Sequence, residues 1–328
     1  KKDMLVSQNR LESIVSRESG FLFNNVVFVS MCAAILWGTM YPLLSEAITG
    51  VQITIGSTYF NRVIIPFGII LLLLTGIGPL LAWRKTSTKS MKKNFAIPII
   101  TGFILTATWS IIFKVRMIYP LIFSALIVFV FSVIAMEYYR AISARHRLHN
   151  ENIFTAFSML IKKNRTRYGG YIVHLGIIMM VAGFIGKAFD KEADLSMNLN
   201  DSINLKNYTL DYTKFWLETP QTNPDTRSNH FSKLIAINIK KDGDPYTTLY
   251  PEKRFYVDQN NQPHSEVALK STLFEDLYMV MGDVDMETGL ATIKVKINPM
   301  VTWVWLGTLM LTIGVIICIN PTIPNRKK

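Results

Sequence analysis

Long apolar runs separated by short basic connections make up most of this chain, and one internal stretch departs from that rule. A bilayer core of about 30 Å is crossed by a helix of about 20 apolar residues. Six runs reach that length: Asn24 to Leu44, Val63 to Trp83, Phe95 to Phe113, Met117 to Tyr138, Tyr168 to Ala188 and Pro299 to Ile319. The short link Lys114 to Arg116 makes a tight hairpin of the third and fourth. From Ile203 the period changes to two, with Ile235, Ile237 and Ile239 on one face and, later, Ile293, Val295 and Ile297. Asn207, Asp242-Gly243-Asp244 and Asn260-Asn261-Gln262 punctuate these runs as turns. The pattern predicts a polytopic α-helical membrane protein of about six transmembrane helices, with an antiparallel β-domain, a small sandwich or partly closed barrel, inserted before the last.

Composition agrees: 50% of the 328 residues are hydrophobic and only 18% charged, against about 25% charged in soluble domains. The net charge of +12 is unevenly spread. Asp190 to Ile297 holds 17 acidic and 12 basic residues, whereas the remainder holds 6 and 23. Those cations sit in short runs between apolar stretches rather than on a polar surface, which argues against nucleic acid as a partner. They also set orientation, because basic loops stay cytoplasmic. Lys and Arg number four before Asn24, five between Arg84 and Asn94, seven in the link after Tyr138 and three after Pro321. The opposite side has Arg62 and the two in the tight hairpin. The division expected is a cytoplasmic segment 1–23, four spans in 24–138, a basic cytoplasmic link 139–167, a fifth span 168–188, an external β-domain 189–298, a last span 299–320 and a cytoplasmic tail 321–328. Trp83, Trp303 and Trp305 stand where interfacial aromatics belong.

Within the link, Phe154, Phe157, Leu160 and Ile161 share a face and Lys162, Lys163, Arg165 and Arg167 follow. This reads either as an amphipathic helix at the membrane surface or as a solvated linker that enforces topology. Cys32 and Cys318 form no C-x-x-C pattern and read as small buried apolar side chains. His230 and His264 stand apart in polar stretches of the β-domain, which shows no metal-ligand spacing and no nucleophile constellation. His174 is the histidine within a span, about six residues inside the cytoplasmic boundary. An ionisable group there is costly unless paired, so it is a functional candidate. Gly176 and Gly183, seven apart, share a helix face roughly opposite it, where a neighbouring helix can approach closely. The imidazole suits a haem ligand, a proton relay or polar interhelical contact, or a satisfied structural histidine.

A series of motifs runs along the chain in order. Ser16-Arg17-Glu18 is followed by Asn24-Asn25, by Gly38 with Tyr41-Pro42-Leu43, and by Tyr59-Phe60-Asn61. Then come Arg165 to Gly170, His174-Leu175-Gly176, Tyr250-Pro251-Glu252-Lys253-Arg254-Phe255-Tyr256, Asp276-Leu277-Tyr278 and Trp303-Val304-Trp305-Leu306-Gly307. Together they resemble the C-terminal half of the CcmF/NrfE family, the membrane haem lyase subunits of bacterial System I cytochrome c maturation. The resemblance implies part of a thioether-forming cytochrome c synthetase in the bacterial inner membrane, with the β-domain in the periplasm. It implies haem in transit as substrate, delivered by the chaperone CcmE and joined to the C-x-x-C-H thiols of apocytochrome c, with CcmH and CcmI as handling partners. It further implies a haem b cofactor, reduced by quinol and held by two intramembrane histidines, of which His174 matches the second by position and flanking residues. No catalytic residue is carried over.

The departures are as informative. The six tryptophans are scattered, with no tryptophan-rich segment, and neither the family's external haem-holding histidines nor its first intramembrane ligand has a counterpart. These belong to the family's N-terminal half. The expectation is a later part of a longer protein, which the absent initiator Met favours, or one piece of a split subunit with the N-terminal half of CcmF as partner. Alone, the chain is expected to bind haem weakly and catalyse nothing. Two other classes stay open: a proton-coupled transporter, for which no repeat is evident, and an assembly scaffold without haem.

Overall fold

The computed structural model describes residues 13, 16–81, 88–219, 230–257 and 261–319. Trp83, Asn260 and the tail after Pro321 lie outside them. The chain divides into two compact units, one of residues 1–182 and 306–328, the other of 183–305.

Among the described residues the α-helices are α1 (Arg17–Thr49), α2 (Ser57–Ile77), α3 (Thr88–Ile112), α4 (Ile118–His149), α5 (Ile153–Lys163), α6 (Arg165–Gly186) and α7 (Val301–Ile319). All but α5 include a stretch long and apolar enough to cross a membrane. Local chemistry sets the ends. Ser16 caps α1 by accepting from the Ser19 N–H at 3.1 Å, and Gly50 closes it at φ 70°. Lys114, at φ 52°, turns the α3–α4 hairpin. Helix α4 continues past the apolar run to His149, because no Gly or Pro interrupts Glu137 to His149, and Asn150 ends it in the left-handed region. Its middle forms the centre of the helical core. Phe129, Val130, Val133 and Ile134 are buried with Leu72 of α2 and with Tyr168, Tyr171 and Ile178 of α6. Cys318 packs at Gly169, but Cys32 is exposed, not buried as its apolar setting suggested.

The second unit is an antiparallel sandwich whose described residues form ten strands: β1 (Lys191–Met197), β2 (Ser202–Leu205), β3 (Tyr208–Glu218), β4 (His230–Lys241), β5 (Asp244–Leu249), β6 (Glu252–Tyr256), β7 (Gln262–Glu266), β8 (Ala268–Ser271), β9 (Glu275–Val284) and β10 (Ala291–Pro299). One sheet runs β1-β10-β9-β8; the other runs β2-β3-β4-β6-β7, with β5 also on β4. The core is the alternating face read from the sequence: Ile235, Ile237 and Ile239 from one sheet meet Ile293, Val295 and Ile297 from the other, each at most 2% exposed. The fold class predicted from the pattern is the one observed.

Candidate functional site

Helix α6 separates its work between two sides. Gly169, Gly176 and Gly183 recur every seven residues, and a Cβ on Gly176 would lie 2.6 Å from the Leu311 nitrogen and 2.7 Å from the Gly307 oxygen of α7. Gly307 and Gly314 answer from α7 with the same spacing, against Gly176 and Val173. Small residues replace the side chains that would hold the two backbones apart. On the other side Tyr171 and Ile178 enter the core with α4. His174 lies two residues from Gly176, about 200° around the helix, and so on the side away from α7. Its Nδ1 is buried and has no hydrogen-bond partner among the described residues. A buried polar nitrogen left unpaired costs about 1–3 kcal/mol, so His174 Nδ1 is a polar group that the described residues leave unsatisfied.

One turn before His174, α6 is fastened to α4 by a polar cluster that the apolar pattern did not reveal. Arg167 donates to Glu137 Oε2 at 2.6 Å, the Tyr171 hydroxyl donates to the same oxygen at 3.2 Å, and Arg167 Nε donates to the Tyr171 oxygen at 3.1 Å. Tyr138 donates to the Tyr168 carbonyl at 3.0 Å. The rings of Tyr138, Tyr168 and Tyr171 pack with centroids 5.4–5.8 Å apart. The signal available in the sequence was Glu137, a lone carboxylate at the end of an apolar run. The cluster fixes the rotation of α6 and with it the direction of His174.

In the β-domain the charged groups serve the sandwich. Glu275 accepts from Lys241 at 2.7 Å and from the Tyr208 hydroxyl at 2.8 Å. Burial raises its affinity for a proton, but those two bonds outweigh it and hold the carboxyl below its ordinary range. Burial, then the bond to Glu275, pushes the Tyr208 hydroxyl up to about 12. His230 and His264 are not isolated as the sequence suggested: each packs against Tyr256, at 5.2 and 5.4 Å, because β4 and β7 flank β6. Tyr250 to Tyr256 forms strand β6 and its approach, with Arg254 between Glu252 and Glu266. No group of three or more His, Cys, Asp or Glu side chains able to hold a metal occurs among the described residues.

Among the described residues, six membrane-length helices with an antiparallel sandwich inserted before the last define a polytopic membrane protein with an extramembrane β-domain. Residues 188–299 match the family model described as the CcmF C-terminal beta-sandwich. The chain is 29% identical over 303 residues to the cytochrome c-type biogenesis protein CcmF of Pseudomonas aeruginosa, covering 91% of this chain and 43% of that protein. Haemophilus influenzae CcmF is 26% identical over 304 residues (92% and 44%), and Escherichia coli CcmF 26% over 309 (93% and 44%). A solved structure titled Cytochrome c Heme Lyase CcmF superposes with a TM-score of 0.73 at 18% identity, covering 94% of this chain and 46% of that one, which establishes the shared fold. The chain is thus similar along nearly its whole length to the C-terminal part of the CcmF cytochrome c biogenesis proteins, and it spans less than half of theirs.

Proposed function

We propose that this chain is the C-terminal part of a membrane cytochrome c haem lyase of the CcmF type, and that His174 is one axial ligand of its haem b. The observation that carries the ligand reading is the unpaired buried Nδ1 of His174, in an apolar helix whose opposite face is committed to α7. The residues present fit a single-ligand contribution. His174 would supply one imidazole nitrogen, and in this reading the second ligand would come from the N-terminal half of CcmF. When bound, the haem supplies a one-electron reductant in hydrocarbon. This chain's own part is positional: the glycine face sets the depth of α6 against α7, and the Glu137–Arg167–Tyr171 cluster sets its rotation.

In this reading the haem in transit is handed over by CcmE and joined to apocytochrome c, with CcmH and CcmI as partners, quinol as the electron source and the N-terminal half of CcmF completing the subunit. The basic link between Tyr138 and Tyr168 supports a cytoplasmic location for that side. The acidic β-domain would then face the periplasm, in the inner membrane, with both ends of this chain cytoplasmic.

Co-expression with a CcmF N-terminal half in a strain lacking its own CcmF tests the function. The expected result is covalent haem on a c-type cytochrome, seen by in-gel haem staining and abolished by His174→Ala. Correctly inserted chain that assembles with the N-terminal half and yields no stain would contradict it.

A further inference from the structure

The β-domain carries an apolar tip at the end where the chain enters and leaves it. Three facing pairs mark that end: Lys191 opposite Ile297, Pro299 opposite Glu275, and Ser271 opposite Asp276. The β8–β9 turn, Thr272 to Phe274, therefore shares an end with both connections to the helices. Thr272 makes the turn stiff, its hydroxyl donating to the Glu275 carbonyl at 2.7 Å and accepting from the Glu275 N–H at 3.1 Å. The turn is tied to the first residues of α7 and to Met300 just before it by three further bonds. Trp303 Nε1 donates to the Leu273 carbonyl at 2.9 Å, the Thr302 hydroxyl to the Thr272 carbonyl at 2.7 Å, and the Met300 N–H to the Phe274 carbonyl at 2.8 Å.

Those bonds set the depth of the turn. Helix α7 has 19 residues, about 28 Å of helix, and the hydrocarbon is about 30 Å thick. Its first turn must lie at the boundary for the helix to cross at all. Leu273 and Phe274, 55% and 74% exposed, sit at that level beside Trp303 and the 72% exposed Trp305. Lys206, which reaches Glu275 at 3.5 Å, brings a half-exposed cation to the same end. Exposed apolar tips flanked by indoles and an ammonium match the headgroup–acyl boundary of a phospholipid leaflet.

We propose that the β8–β9 turn inserts Leu273 and Phe274 into the leaflet on the β-domain's side, giving the sandwich a third attachment to the bilayer besides its two chain connections. Such an attachment restrains the domain's rocking about those connections, and so fixes the height at which it meets other proteins.

The test uses the full chain in phospholipid nanodiscs, in a Cys32→Ala, Cys318→Ala background, with single nitroxide labels at Leu273→Cys, at Phe274→Cys and, as control, at Glu287→Cys at the far end of the sandwich. Power-saturation spectroscopy compares collisions with oxygen and with a water-soluble nickel chelate. At 273 and 274 oxygen collisions should exceed nickel collisions severalfold, and at 287 the order should reverse. Nickel access at 273 and 274 equal to that at 287 would overturn the proposal, placing the turn in water. Protection from both reagents would overturn it equally, assigning the tip to a protein surface. Two separately labelled sites keep the result readable should one substitution disturb folding.

Discussion

The contact of α6 with α7 makes a sharp prediction, because two glycines of the same helix have opposite surroundings. A Cβ at Gly176 would stand 2.6 Å from the Leu311 nitrogen and 2.7 Å from the Gly307 oxygen, whereas one at Gly170 would meet nothing within 4 Å. The Gly176 separations fall roughly 1 Å short of ordinary van der Waals contact. The atoms concerned are backbone, so no rotamer change relieves the clash and the helices must separate. Gly→Ala gains about 1 kcal/mol of helix propensity at either site, so the difference between the two variants isolates the packing. Overpacking of this kind costs about 1–3 kcal/mol. Gly176→Ala should therefore be less stable than Gly170→Ala by about that amount, measured by reversible SDS unfolding in mixed micelles. Equal stability would show that α6 and α7 are not held backbone to backbone.

Three other predictions address the polar contacts. A double-mutant cycle on Glu137→Gln and Arg167→Gln should return a coupling of about 0.5–1 kcal/mol, modest because Arg167 is half exposed; zero coupling would mean the pair does not fasten α6. Glu275→Gln should destabilise the β-domain at neutral pH. Because the folded carboxyl lies below its ordinary range, that contribution is complete above about pH 5 and fades as pH falls through the folded value. The gap in melting temperature between parent and variant should narrow below about pH 5, and a constant gap down to pH 3 would contradict the assignment. Removing the α1 cap with Ser16→Ala should cost about 1 kcal/mol and speed amide exchange in the first turn; unchanged exchange would show that the cap is idle.

The spans and the β-domain were legible because their physics is periodic. Twenty apolar residues have one fate in a chain of this composition, and Ile235, Ile237 and Ile239 alternate as a half-buried strand must. Helix ends were less so. The extension of α4 to His149 is decided by the absence of a breaker, not by hydrophobicity, and the start of α1 by a single serine. His174 was visible as an ionisable group in hydrocarbon, and Gly176 as the marker of the opposite face. The Glu137–Arg167–Tyr171 cluster was hidden because its members lie 30 and 34 residues apart and meet only through the packing of α4 on α6. The gathering of His230 and His264 at Tyr256 was hidden for a similar reason, since strand register is set by turns that the period of two does not fix.

The central claim is that His174 binds haem iron, and a reduced-minus-oxidised visible spectrum of the assembled complex tests it most directly. The parent should show a b-type band, and His174→Ala and His174→Gly should both lose it. Added imidazole should restore it in the Gly variant, where the vacated space admits the free ligand. A band of undiminished intensity in both variants, with the complex still assembled, would mean that the iron is held elsewhere and that His174 has a structural role.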